Sequence, residues 1–315
     1  MHGCGDGPFS PCPVKLGPDG LLPRRDPPNG PAPQRTLAST ARSSCVGSRR
    51  RELSAGAGRT VVSSGSGMSA EDFDNWYSDM QDSVAQDAIH QRHLGLPPRL
   101  LSSSLLTWDG IAEVVEALRI EPGNRLLDLA CGRGGYGLEI ASRTGAQLIG
   151  VDFARAALGQ ARALARHFDS VDAEFILGDL AGTTLASGSV DAVACVDAIQ
   201  FQPTAASFGE IRRVLRPGGR VALTTWEAAD PADERVPARI RAVDTEGGLA
   251  GAGFTNVVVR ERPQWRAAER AMWEEAAALD PGEDPALQSL HDEALRVLPA
   301  FDAMRRVLAT AAAAG

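Results

Sequence analysis

Between residues 126 and 226, short apolar runs alternate with stretches whose apolar residues recur every three or four positions. The runs 126–130, 147–152, 173–178, 190–196 and 219–226 read as buried strands. The stretches 135–143, 154–167 and 207–215 between them read as helices. That alternation predicts an α/β fold: a doubly wound, mostly parallel sheet with helices on both faces and ligands at the carboxyl ends of the strands. Upstream, Ser69 with Glu71 and Asp72 starts a helix on which Phe73, Trp76, Tyr77, Met80 and Val84 share one face; Gly95 and Pro97-Pro98 stop it. The aromatic stripe reads as core packing for Phe73 and Trp76, whereas Tyr77 carries a hydroxyl that could serve a pocket. A second helix runs from Trp108 to Leu118, with Ile111, Val114, Val115 and Leu118 facing inward, and Pro122-Gly123 ends it. Downstream of Val257-Val258-Val259, residues 266–280 and 285–303 read as helices, and 306–311 as a final antiparallel strand. The sheet then has seven strands. The organisation expected is a disordered extension 1–67, a helical cap 68–107, a core 108–265, a helical lid or insertion 266–303, and a last strand with its tail 304–315.

Composition refines this picture at the N-terminus. Residues 1–67 are rich in Pro, Gly, Ser and Arg, lack apolar periodicity and carry nine basic against four acidic residues. Their Arg- and Ser-rich part from residue 34 onward has a transit-peptide composition, although the prolines before it oppose an amphipathic helix; a start at Met68 is the competing reading. The other 248 residues hold 23 basic and 36 acidic residues, so the body is strongly acidic, which argues against a nucleic-acid partner. Lys15 is the only lysine, so there is no Gly-Lys-Ser/Thr phosphate loop. No apolar run is long enough to span a membrane. The cysteines at 4, 12, 45, 131 and 195 show no paired spacing, consistent with a reduced, cytoplasmic protein and no metal site.

Candidate chemistry concentrates in Leu126-Leu127-Asp128-Leu129-Ala130-Cys131-Gly132-Arg133-Gly134-Gly135. A buried strand breaks there into a glycine turn and opens a helix, and Gly132 and Gly134 allow a ligand to approach the backbone. Asp152 ends the next strand 20 residues after Gly132, a spacing suited to a carboxylate that grips ribose hydroxyls. A nucleoside-bearing cofactor is implied. Gly137 completes a formal G-x-G-x-x-G, which keeps a dinucleotide open; the acid inside the first strand, Asp128, has no role in such a site.

The run Asp128-Leu129-Ala130-Cys131-Gly132-Arg133-Gly134 resembles the first motif of class I S-adenosylmethionine (SAM)-dependent methyltransferases. Gly178-Asp179-Leu180, Ser189-Val190-Asp191 through Asp197, the Pro217-Gly218-Gly219 turn and Ala252-Gly253-Phe254 resemble its later motifs in order, covering residues 108–260. The resemblance implies a Rossmann-like fold with SAM as cofactor. It implies cofactor contacts from Asp128, Ala130, Gly132, Gly134, Asp152, Asp179, Leu180 and Asp197, with Ala130 standing where the family usually has glycine. It also implies that the segment after the fourth strand, Asp197 to Pro203, faces the methyl group and that the first helix covers the site. Gln200 stands where many relatives carry histidine; it can orient an acceptor but not take its proton. His90 and His93, at the C-terminal end of the first helix, are the candidate bases, with a helix end that raises histidine pKa values. Arg133 is a candidate partner for the cofactor carboxylate. The function implied is methylation of a small molecule of secondary-metabolite or lipid type, at O, N or C. The alternatives are a non-methylating use of the cofactor, a non-catalytic partner subunit, and, more remotely, a nicotinamide-dependent oxidoreductase. The partner expected is a small-molecule substrate; a homodimer stays open.

Overall fold

A computed structural model describes residues 69–80 and 82–315; the expectations for residues 1–67 lie outside them. Ser69 and Asp72 form a capping box: Ser69 Oγ accepts from Asp72 N (3.2 Å) and Asp72 Oδ2 accepts from Ser69 N (2.8 Å). They open α1 (Ala70–Asp79). The apolar face expected to continue from Phe73 to Val84 does not. Met80 turns extended, and Ser83 caps a separate helix, α2 (Val84–Leu94), by accepting from Gln86 N. Trp76 and Val84 are exposed and Tyr77 alone of the stripe is buried, so the expected core role fails for Trp76 and is only half met for Phe73. Gly95 ends α2 in a left-handed cap.

The alternating middle follows as α3 (Trp108–Leu118), β1 (Arg125–Leu129), α4 (Gly135–Thr144), β2 (Gln147–Asp152), α5 (Arg155–Ala165), β3 (Ala173–Leu177), β4 (Val190–Val196), α6 (Thr204–Val214) and β5 (Leu215–Ala228). Then come α7 (Ala238–Arg241), α8 (Thr245–Gly251), β6 (Phe254–Glu261), α9 (Pro263–Ala278), α10 (Pro285–Val297) and β7 (Met304–Ala313). The seven strands form one sheet in the order β3-β2-β1-β4-β5-β7-β6. β7 runs antiparallel between β5 and β6, and the pairs among β1 to β5 are parallel. The central strands are apolar throughout because both faces are covered. One apolar core joins α3, α4, α5, α9 and α10 to the sheet through Ile111, Val114, Leu138, Leu158, Met272 and Leu290. A second, on the opposite face, joins α6 and α8 through Phe208, Ile211 and Leu249. The Pro217-Gly218-Gly219 segment is a bulge inside β5: pairing jumps from Val190↔Leu215 to Ala192↔Arg220, with Gly218 at φ 75°. The insertion before β7 turns its α9 and α10 back onto α2, with His93 Nε2 2.5 Å from Glu275 Oε2 and Ser83 Oγ donating to Asp284 Oδ2 (2.5 Å). Among the described residues no helix is long and apolar enough to cross a membrane.

Candidate active site

The sheet order reverses at β1, and the chain leaves the carboxyl ends of β1 and β4 in opposite directions, which opens a crevice there. The turn after β1 is built from left-handed backbone: Ala130 at φ 60°, Gly132 at 51° and Gly134 at 82°. Only glycine adopts such angles without strain, so Ala130 carries a cost of about 1–2 kcal/mol. The turn is pinned by Gly134 N to Cys131 O (2.8 Å) and Cys131 N to Val151 O (3.0 Å). Asp152, at the tip of β2, accepts from Gly132 N through Oδ2 (2.8 Å) and from Ala154 N through Oδ1 (2.9 Å). Burial raises the Asp152 pKa, and these N–H groups oppose the rise. Asp128 lies beneath the turn, 2% exposed, with Oδ2 lacking any hydrogen-bond partner. Burial, with the Asp152 charge adding to it, lifts its pKa to about 7.

Helix α1 covers this turn. A Cβ on Gly132 would lie 2.6 Å from the Tyr77 hydroxyl and 3.0 Å from Ser103 Oγ, so the glycine leaves room where chain and cover meet. The cover is held by Asp74 Oδ1, which accepts from Ala156 N at the start of α5 (2.7 Å), and by Gln160 Nε2, which donates to Tyr77 O (2.9 Å). Arg133 donates to Asp82 Oδ1 (2.8 Å) and is 8% exposed, so it is committed to this cover. Phe73 packs edge-on against Phe153 and Phe201. Asp179 lies two residues beyond β3, exposed, in a tight turn where Oδ1 accepts from Ala181 N (2.7 Å); Leu180 is buried beside it in the second core.

The acceptor side gathers at the tips of β4 and β5. Asp197 follows β4 at φ 56°. Its Oδ1 accepts from Thr224 Oγ1 (2.7 Å), and its Oδ2 from Leu105 N (3.2 Å) and Arg306 Nη2 (2.7 Å). Gln200 donates to Asp197 O (2.7 Å) and accepts from Thr225 Oγ1 (3.1 Å), which fixes its amide beside the β4 tip. Both candidate histidines lie on α2. His90 is buried on α2, its Nε2 unpaired, and burial lowers its pKa to about 4, opposite to the rise expected from a helix end. His93 pairs with Glu275 and lines a cavity of about 450 Å³ with Trp108 and Trp265. Neither histidine bonds to a group at the crevice. Sequence reasoning missed Arg306, on β7, and Glu269, on α9, whose Nε and Oε1 are 3.3 Å apart and which are 1% and 0% exposed. Their signal was available: each charge falls in phase with buried apolar neighbours, Glu269 with Trp265, Met272 and Trp273, and Arg306 with Leu308.

The geometry can be set beside known proteins. Residues 126–219 match a family described as "Methyltransferase domain". The sterol 24-C-methyltransferase of Schizosaccharomyces pombe is 32% identical over 121 residues, 38% of this chain and 32% of its own. The 2-methyl-6-phytyl-1,4-hydroquinone methyltransferase of Synechocystis is 29% identical over 173 residues, 53% of each chain. The chain thus spans about a third of the length of the sterol methyltransferases it matches. A phosphoethanolamine N-methyltransferase 2 from Haemonchus contortus superposes with TM-score 0.61 at 20% identity, covering 79% of this chain and 61% of its own. A geranyl diphosphate methyltransferase in complex with SAM gives 0.55 at 19% identity, covering 76% and 95%. At these identities the structures establish a shared fold.

Proposed function

We propose that this chain, which belongs to the class I SAM-dependent methyltransferases, moves the methyl group of SAM to a small acceptor of lipid or secondary-metabolite type. The observation that carries the reading is the glycine turn locked to the Asp152 carboxylate through Gly132 N–H. The residues fit the cofactor. The Gly132 Cβ position lies under the Tyr77 hydroxyl and Ser103 Oγ of the cover, the Asp152 carboxylate stands at the β2 tip, and the buried Asp128 Oδ2 has a free acceptor position beneath the turn. Asp152 would hold the ribose, Asp179 and Leu180 the adenine, and the turn with Asp128 the amino-acid end. When bound, SAM supplies a methyl already activated by its sulfonium.

The rest of the work falls to this chain. Tyr77 and the α1 cover exclude water from the turn, which strengthens every polar interaction beneath. Gln200, fixed at both ends of its amide by Asp197 and Thr225, orients the acceptor at the β4 tip. Holding an acceptor in line at van der Waals distance supplies much of the rate, so an acceptor that is already nucleophilic needs no dedicated base. The test is incubation with methyl-labelled SAM and a panel of prenylated quinols, sterols and isoprenyl diphosphates, read by mass spectrometry. Label in an organic product with equal S-adenosylhomocysteine (SAH) supports the reading; turnover of a panel member without SAH, or with SAH but no methylated product, overturns it.

A further inference from the structure

The charged cluster behind the β4 tip is costly as a structural device. Glu269 is fully buried, and neither of its carboxyl oxygens has a hydrogen-bond partner. Arg306 beside it is likewise buried. It spends Nη2 on Asp197 Oδ2 (2.7 Å), has Nη1 2.5 Å from Asp197 Oδ1, and leaves Nε and Nη1 without an aligned acceptor. The guanidinium lies 5.6 Å from the Trp226 ring centre, and the Tyr136 hydroxyl is close enough for its ionisation to respond to all three charges. A buried carboxyl with no hydrogen bond loses its hydration without replacement, and Arg306 Nε, 3.3 Å from Glu269 Oε1, is not aligned to supply that bond. Both oxygens of Glu269 are therefore open to a bound group.

Its surroundings say what it could hold. Arg306 Nε and Nη1, which have no aligned acceptor, stand beside the open acceptors of Glu269, so a group that satisfies both must accept one hydrogen bond and donate another. A hydroxyl does so. An anion would face the Asp197 and Glu269 carboxyls, and a cation would face Arg306, among the described residues the only basic side chain that pairs with these two acids. The place is also right: Asp197 touches Arg306 on one side and Gln200, through its carbonyl, on the other. We infer that Glu269 and Arg306 form the polar end of the acceptor pocket and bind a neutral hydroxyl of the acceptor, an alcohol, phenol or enol. On the Asp197 side, the Leu105 N to Asp197 Oδ2 bond closes the cluster, and an acceptor entering there breaks it. The assignment rests on the methyltransferase reading and adds to it the chemistry of the acceptor and the residues that select it.

The experiment compares a prenylated hydroquinone with its dimethyl ether, titrated calorimetrically into the full chain loaded with SAH. The native chain binds the quinol at least about tenfold more tightly than the ether, the size of one lost charge-assisted hydrogen bond. Glu269→Met keeps the volume and removes both oxygens; it abolishes that preference while SAH affinity stays within twofold of native. Glu269→Gln, which can still donate and accept, restores part of the preference. A native chain that does not discriminate the two probes, or an E269M chain that still does, overturns the assignment. If E269M does not fold, E269Q decides through pH. Burial lifts the Glu269 pKa to about 8, so quinol affinity in the native chain changes as pH crosses that value. The change vanishes in E269Q; its persistence overturns the assignment. Absence of SAH binding to the native chain overturns the methyltransferase reading itself, and the acceptor assignment with it, which separates the two failures.

Discussion

Gly137, in the first turn of α4, completes the formal dinucleotide pattern, yet what it faces is the acid of β1. An alanine Cβ there would lie 2.5 Å from Asp128 Oδ2, 2.8 Å from Asp128 Cβ and 3.0 Å from Cγ. Asp128 cannot withdraw: its backbone pairs with Gly150 on one side and Ala194 on the other, and its side chain is 2% exposed. Two effects oppose each other in Gly137→Ala. Helix propensity favours alanine by about 1 kcal/mol. Overpacking against a side chain fixed in a central strand costs about 1–3 kcal/mol, and a Cβ–Cβ separation under 3 Å puts it at the upper end. The net expectation is a loss of about 1–2 kcal/mol. Gly159 is the matched control: it lies in α5, exposed, with nothing within 4 Å of an added Cβ, so Gly159→Ala gains up to about 1 kcal/mol. Urea unfolding of both variants against the native chain reads the difference directly. Gly137→Ala as stable as native, or more so, would refute the claim that the Asp128 carboxyl sets the packing distance between α4 and β1.

Other outcomes follow from the same geometry. Asp128 has a folded pKa of about 7 against an ordinary carboxyl in the unfolded chain, so the native state holds a proton that the unfolded state releases. The associated stability is present below pH ~4 and is lost as pH rises through ~7, with a slope of up to about 1.4 kcal/mol per pH unit. Asp128→Asn removes that slope, so its stability relative to native improves between pH ~4 and ~7 in urea unfolding; a flat difference contradicts the burial argument. Ala130→Gly relieves the left-handed strain at φ 60° against a smaller entropic cost, raising stability by about 0.5–1 kcal/mol and the melting temperature by about 1–4 °C; a lower melting temperature counts against it. Asp74→Ala strips the bond to Ala156 N that ties α1 to α5, so amide exchange in residues 70–79 accelerates while the sheet stays protected; unchanged exchange means that the cover is held elsewhere.

The readable parts of this chain were those in which local pattern and tertiary environment agree. The strands 147–152 and 190–196 emerge at the bounds read from the sequence, because they are apolar runs buried on both faces and closed by turn residues. Helices α6 and α9 begin three residues earlier than their apolar periodicity, at Thr204 with Pro203 as its N-cap, and at Pro263, where proline occupies the first helical position. The stretch 285–303 stops as an α-helix at Val297, because Pro299 cannot donate within a helix and the chain tightens to a 3-10 turn. The α1–α2 break was signalled by Ser83, a good cap that the apolar stripe outweighed in the reading. At the site, Asp128, Gly132, Gly134 and Asp152 come together because strand tips and a single turn are close in sequence terms. Arg306 and Glu269 also meet, but their contact was not legible, since it depends on α9 folding back over β7.

The central claim is that residues 132–134 and Asp152 together hold SAM. Asp152→Asn keeps the side-chain volume and replaces one acceptor by a donor opposite either Gly132 N–H or Ala154 N–H. The measurement is a calorimetric titration of SAH, with NAD as the counter-ligand, into the native chain and the D152N variant. The expected result is saturable one-site SAH binding to the native chain, at least about tenfold weaker in D152N, with no heat from NAD. A native chain that ignores SAH, that binds NAD instead, or whose SAH affinity survives D152N unchanged contradicts it.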